Sequence, residues 1–201
     1  MKILACILGA LVIFIAGSAW AIDELPIRNI IDQLPQALPA KPIGRVSIVP
    51  VNDSSQGGDV MIDYTDGSTF RISTGAQAQA AQLAPDGQTF GFNIVEYYVD
   101  TKGDLWVATR AIVFYKQGKR LSFIEPEKQA TVGWAFRNGS SSAMVSAAGT
   151  HGPTFLSLWD IAKGKRVADA DDNEEKKPLW TKGPQLLFCC TVKTIVRPST
   201  R

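Results

Sequence analysis

Apolar and polar residues alternate with a period of two through most of the chain, and turns rich in glycine break the alternation at short intervals. That pattern predicts strands, not amphipathic helices. Val46 to Val51, Asp59 to Tyr64 and Thr69 to Ser73 form a first meander, with turns at 53–58 and at Asp66-Gly67. Thr89 to Val99, Leu105 to Phe114 and Arg120 to Ile124 follow, separated by 101–104 and by Lys116-Gln117-Gly118-Lys119. Trp134 to Phe136, Ser142 to Ala148 and the hairpin Phe155 to Val167 make a third set, and Leu186 to Val192 is a last strand. Gly75 to Gln82 is small and polar and reads as a loop or a short Ala-rich turn of helix. Ahead of the strands, Leu25, Ile27, Ile30, Ile31 and Leu34 have helical spacing, but Pro26, Pro35 and Pro39 confine any helix to one or two turns.

The turns recur. Hairpin glycines Gly67, Gly118 and Gly164 are 51 and 46 residues apart, and Gly87, Gly139 and Gly183 in the opening turns are 52 and 44 apart. Both intervals are close to the roughly 40 to 50 residues of a four-stranded propeller blade. Leu83-Ala84-Pro85-Asp86-Gly87-Gln88-Thr89-Phe90 resembles the blade opening of the WD40-like repeats in TolB-type β-propellers, and Trp134-Ala135-Phe136-Arg137-Asn138-Gly139 is a looser copy. Leu158-Trp159-Asp160-Ile161-Ala162-Lys163-Gly164 is similar to the closing hairpin of a WD40 blade. Asp63 stands at the same offset before Gly67, whereas Phe114 stands there before Gly118.

The expected fold is therefore all-β: antiparallel four-stranded blades of a partial or small β-propeller, with a β-sandwich as the alternative. Its units span about 45–74, 75–125, 130–168 and 178–195, after a leader over 22–44. In such a stack Trp106, Trp134, Trp159 and Trp180 are core residues between sheets. Propellers typically need 4 to 8 blades. If the strand after Gly183 pairs with the 45–74 meander, the ring closes with only three, so an open edge, self-association or a partner strand is expected.

Composition changes this picture in one place. Lys2 followed by the apolar run Ile3 to Ala16 and by Ala19-Trp20-Ala21 is the pattern of a signal segment cleaved after Ala21, with an uncleaved membrane anchor as the alternative. The expected location is periplasmic or secreted, with membrane contact only through an uncleaved signal segment. Losing Lys2 lowers the formal charge from +2 to +1, and the remaining Lys and Arg are scattered among acids, which argues against a nucleic-acid partner. Of three cysteines only the neighbours Cys189 and Cys190 remain after cleavage, and adjacent strand residues point to opposite faces, so they read as two thiols.

Candidate chemistry is sparse. The single histidine, His151, sits in a glycine loop, no serine lies in a nucleophile elbow, and Asp63, Asp86, Glu96, Asp100 and Asp104 fall mostly at turns, where Asp accepts backbone hydrogen bonds. Catalytic and cofactor-binding residues are therefore expected to be absent. Asp169, Asp171, Asn173 and Glu175 alternate like the hard oxygen ligands of a calcium loop, but Glu174 replaces the turn glycine and no closing bidentate Glu follows, so a solvated loop is the favoured reading. Asn52-Asp53-Ser54 and Asn138-Gly139-Ser140 match glycosylation sequons, a match frequent by chance, and carry no role here. The resemblance implies an exported, non-enzymatic interaction module with an envelope protein as partner. A propeller-type hydrolase or lyase, or a calcium-binding surface protein, are the alternatives.

Overall fold

The alternation produces strands almost wherever it occurs. The computed structural model describes residues 27–52, 57–99, 103, 105–126, 131–148, 154–171, 178–182 and 187–188. The expected signal segment, Asp100, Asp104, His151, Cys189 and Cys190 lie outside them.

One helix, α1 (Ile27–Gln33), fits between Pro26 and Pro35 and buries Ile27 and Ile31. Every other regular element but one short 3₁₀ turn is an antiparallel strand. The first meander is β1 (Ile43–Pro50), β2 (Gly58–Tyr64) and β3 (Thr69–Ile72). Four strands follow: β4 (Ala78–Leu83), β5 (Thr89–Val99), β6 (Leu105–Lys116) and β7 (Lys119–Ile124). The third set is β8 (Thr131–Arg137), β9 (Ser142–Ala148), β10 (Phe155–Asp160) and β11 (Lys165–Asp171). A 3₁₀ turn at Leu179–Thr181 and the two-residue β12 (Leu187–Phe188) complete the described chain.

These strands form two open sheets, β1-β2-β4-β5-β6-β7 with β3 on the side of β2, and β11-β10-β9-β8-β12. The first sheet is nearly two. A single residue pair, Gly58 with Ala78, joins β2 to β4, and the chain then folds the β1–β3 limb over one face of β4–β6. Val60, Ile62, Tyr64 and Ile72 meet Phe90, Phe92, Ile94, Ala111, Val113 and Tyr115 in that first core, with Ile27, Ile31 and Leu34 from the leader. The opposite face of β6 carries Ile112 and Phe114, which join Val132, Trp134, Phe136, Ala143 and Val145 in a second core. The period-two alternation thus sends successive residues of one strand into two different cores. Each fully buried large apolar side chain contributes on the order of 1.5–3 kcal/mol.

The result is three layers, with β4–β7 in the middle and its strands β5 and β6 buried on both faces over most of their length. The turn glycines hold equivalent places in them. Gly67, Gly118 and Gly164 each join the last two strands of a layer, and Gly87 and Gly139 each join the first two of the second and third layers, all with positive φ. No closed ring forms among the described residues.

Three expectations need correction. Gly75 to Gln82 is neither loop nor helical turn along its length: from Ala78 it is strand β4, paired with β5, and Ala76 and Ala80 are held at positive φ. Among the described residues, the strand after Gly183 does not pair with the first meander. Its described part, Leu187–Phe188, pairs with Gly133 and Trp134 on β8, and a 3₁₀ turn precedes it at Leu179–Thr181. Of the four tryptophans, Trp134 is fully buried in the second core and Trp159 packs half-buried against it, as expected, whereas Trp106 and Trp180 are half-buried and belong to neither core.

Candidate interaction surface

Asp59, Asp66, Asp86, Glu96 and Asp160 are engaged in holding turns and strands. Asp86 sits in the β4–β5 turn, where its oxygens accept from the amides of Gln88 at 2.9 Å and Thr89 at 2.8 Å and from the Thr89 hydroxyl at 2.7 Å. Partial burial pushes its pKa up, but these bonds and one from the Ser140 hydroxyl outweigh that and hold it at about 2. The Ser140 bond ties the opening turn of the middle layer to that of the third. Because the folded pKa lies below the ordinary 3.8, the stabilisation is present above that pH and is lost as pH falls toward about 2. Asp86→Asn is expected to flatten the acid limb of the stability curve by about 1 kcal/mol, allowing for screening of a partly exposed group. Parallel acid limbs for the two proteins in urea titrations would refute this role.

Asp59 is buried on the face of β2 opposite the first core, and accepts from the Thr74 amide and Arg71 Nε, both at 2.8 Å. Burial raises its pKa, but those two partners prevail and keep it below the usual carboxylate range. Glu96 pairs with Arg110 at 2.7 Å. The Asp160 carboxylate accepts from the Lys163 amide at 3.0 Å, closing the turn before Gly164.

The calcium candidates are not gathered. Asp169 is an exposed residue of β11 whose carboxylate lies 3.4 Å from Arg166, and Asp171 ends the same strand opposite Phe155. Asn173 and Glu175 lie outside the described residues. Among the described residues no group of three or more His, Cys, Asp or Glu is placed to hold a metal ion.

A depression of about 680 Å³ opens beside the third layer, lined among others by Phe136, Arg137, Leu158, Leu179, Trp180 and Lys182. Arg137 is buried there and spends its guanidinium on structure: Nε donates to the Trp180 carbonyl and Nη1 to the Phe136 carbonyl, both at 2.9 Å. The site is a joint that docks the 3₁₀ turn. Burial lowers the pKa of Arg137.

The sheet edges differ in how they are protected, and the sequence signal for this is the distribution of charge along edge strands. β3 has four residues and carries Arg71. β7 is covered by the leader: Ala37 bridges Lys119, the Leu38 amide donates to the Gly118 carbonyl at 2.6 Å, and the Arg120 amide donates to the Gln36 carbonyl at 3.0 Å. β11 carries Lys165, Arg166, Asp169 and Asp171. β1 is eight residues long, has one charge at Arg45, and presents the uncharged run Val46–Val49. Ile43 at its start donates to the Gly87 carbonyl at 2.9 Å, and among the described residues no other backbone bond reaches the edge of β1 that faces away from β2. No helix of the described residues is long and apolar enough to cross a membrane. No protein-family model matches this chain and no curated protein matches it significantly, so its own geometry carries the functional reading.

Proposed function

We propose that the chain is an exported, non-enzymatic protein-interaction module built on WD40-like, propeller-type layers with an incomplete set of blades. The observation that carries this reading is the shared phase of the three layers. Glycines at equivalent turns, with positive φ at each, mark three antiparallel units set face to face, the first and second around the core of Phe92 and Tyr115 and the second and third around Trp134. A stack of this kind offers edges and turns as recognition surface, as repeat architectures do. Asp59, Asp86, Glu96 and Asp160 are bound to backbone amides or paired with Arg, which supports scaffold roles for them.

The signal pattern before Ala21 adds export to the reading, and with it an envelope protein as partner. Affinity capture from an envelope extract, with protein from cells expressing the full chain as bait, tests it. The expected result is a discrete partner displaced by excess untagged protein. Hydrolase or lyase activity on an envelope polymer, without such a partner, would overturn it.

A further inference from the structure

The two outer layers end differently. Among the described residues, no backbone hydrogen bond beyond that of Ile43 reaches the outer edge of β1, and the run Val46–Val49 lacks the charges that β11 carries. Val46 and Ile48 point toward the first core and remain half-buried, while their neighbours in the core, Val60 and Ile62, are fully buried. An unpaired strand with an uncharged β-branched run is a template for another strand.

We propose that this edge is a self-association site at which a second copy of the chain adds its own β1 antiparallel, joining two seven-stranded sheets into one. The proposal rests on the interaction-module reading and gives it a partner and a place. A two-fold axis perpendicular to the sheet requires residues of the same face to meet. Centring the pair on Ser47 satisfies this. Val46 then lies opposite Ile48 twice on the core-facing side, extending the apolar surface across the junction. On the other side Ser47 meets Ser47 and Arg45 meets Val49, so no like charges are opposed. The interface uses the same patch on both copies and closes as a dimer.

Ser47 is the diagnostic position because its side chain meets its own copy. Sedimentation velocity over a concentration series, on protein purified from cells expressing the full chain, is expected to show a monomer–dimer equilibrium. Ser47→Lys places two ammonium groups face to face and is expected to weaken the dimer about tenfold or more. An equimolar mixture of Ser47→Lys and Ser47→Glu is expected to restore it, which a folding defect would not do. Val167→Lys, on exposed β11, is expected to leave the equilibrium unchanged. A monomer at every concentration overturns the proposal, as does a dimer that tolerates Ser47→Lys but dissociates with Val167→Lys. A strictly monomeric chain that still captures an envelope partner would overturn self-pairing and leave the interaction-module reading standing.

Discussion

Trp134→Ala is expected to lower the unfolding free energy by about 3–5 kcal/mol, since Trp134 is the largest fully buried side chain among the described residues. The indole is fully buried between the middle and third layers and belongs to an edge-to-face cluster. Its centroid lies 5.3 Å from that of Phe114 at 86° and 5.2 Å from that of Phe136 at 77°. Removing it deletes packing on both sides of one interface, which the sheets on either side cannot close without losing their pairing. A second variant shows that the loss is at the interface between layers. A Cβ at Gly91 would stand 2.8 Å from Trp134 Cη2 and 2.8 Å from Phe114 Cδ1, so β5 passes close beneath both rings. Gly91→Ala alone is expected to cost about 1–3 kcal/mol by overpacking. In the Trp134→Ala background much of that cost should vanish, because one of the two obstructing rings is gone. Strictly additive losses in chemical denaturation would mean that β5 and β8 do not pack as described.

The parts of this arrangement that the sequence makes legible are those imposed by backbone chemistry. Gly67, Gly87, Gly118, Gly139 and Gly164 all stand at positive φ, where a Cβ is penalised, so glycine marks these turns wherever the fold needs them. The long strands are legible because β5 and β6 alternate between two cores and read as near-continuous runs such as Ala111-Ile112-Val113-Phe114-Tyr115. β4 is not legible, because Ala-Gln-Ala-Ala-Gln-Leu has neither β-branched residues nor a clean alternation; its strand state comes from pairing with β5. The same limit hides the cover on β7. Nothing in Gln36-Ala37-Leu38 signals a strand, and its hydrogen bonds depend on a turn about eighty residues later. Of the candidate site, the lack of charge in Val46–Val49 can be read directly, but its placement on a free edge cannot. That depends on which strands β2 accepts on its two sides.

Gly118→Ala is expected to destabilise the protein by about 2–3 kcal/mol and to release the leader from β7, whereas Gly139→Ala is expected to cost only about 1 kcal/mol. Both glycines occupy the left-handed region at nearly the same φ, +74° and +73°, so the conformational penalty for alanine is common to the two. Their surroundings differ. A Cβ at Gly139 meets nothing within 4 Å, but one at Gly118 would lie in contact with the Leu38 carbonyl oxygen and 3.2 Å from Ala40 Cα. Those atoms are backbone and belong to the segment whose Leu38 amide is bonded to Gly118, so the obstruction cannot swing aside as a side chain would. Relief requires the segment at residues 36–40 to lift from β7, breaking its bonds to Lys119 and Arg120 and loosening the hold of Arg120 on the Ile31 and Leu34 carbonyls. Helix α1 would then lose an anchor, and with it part of the cover of Tyr115, whose hydroxyl donates to the Pro35 carbonyl at 2.7 Å. Hydrogen exchange should therefore accelerate at Leu38 and Arg120 in Gly118→Ala and stay unchanged there in Gly139→Ala. Equal losses of stability in the two variants, with the Leu38 amide still protected, would show that the leader does not bear on Gly118 and that β7 is a free edge like β1.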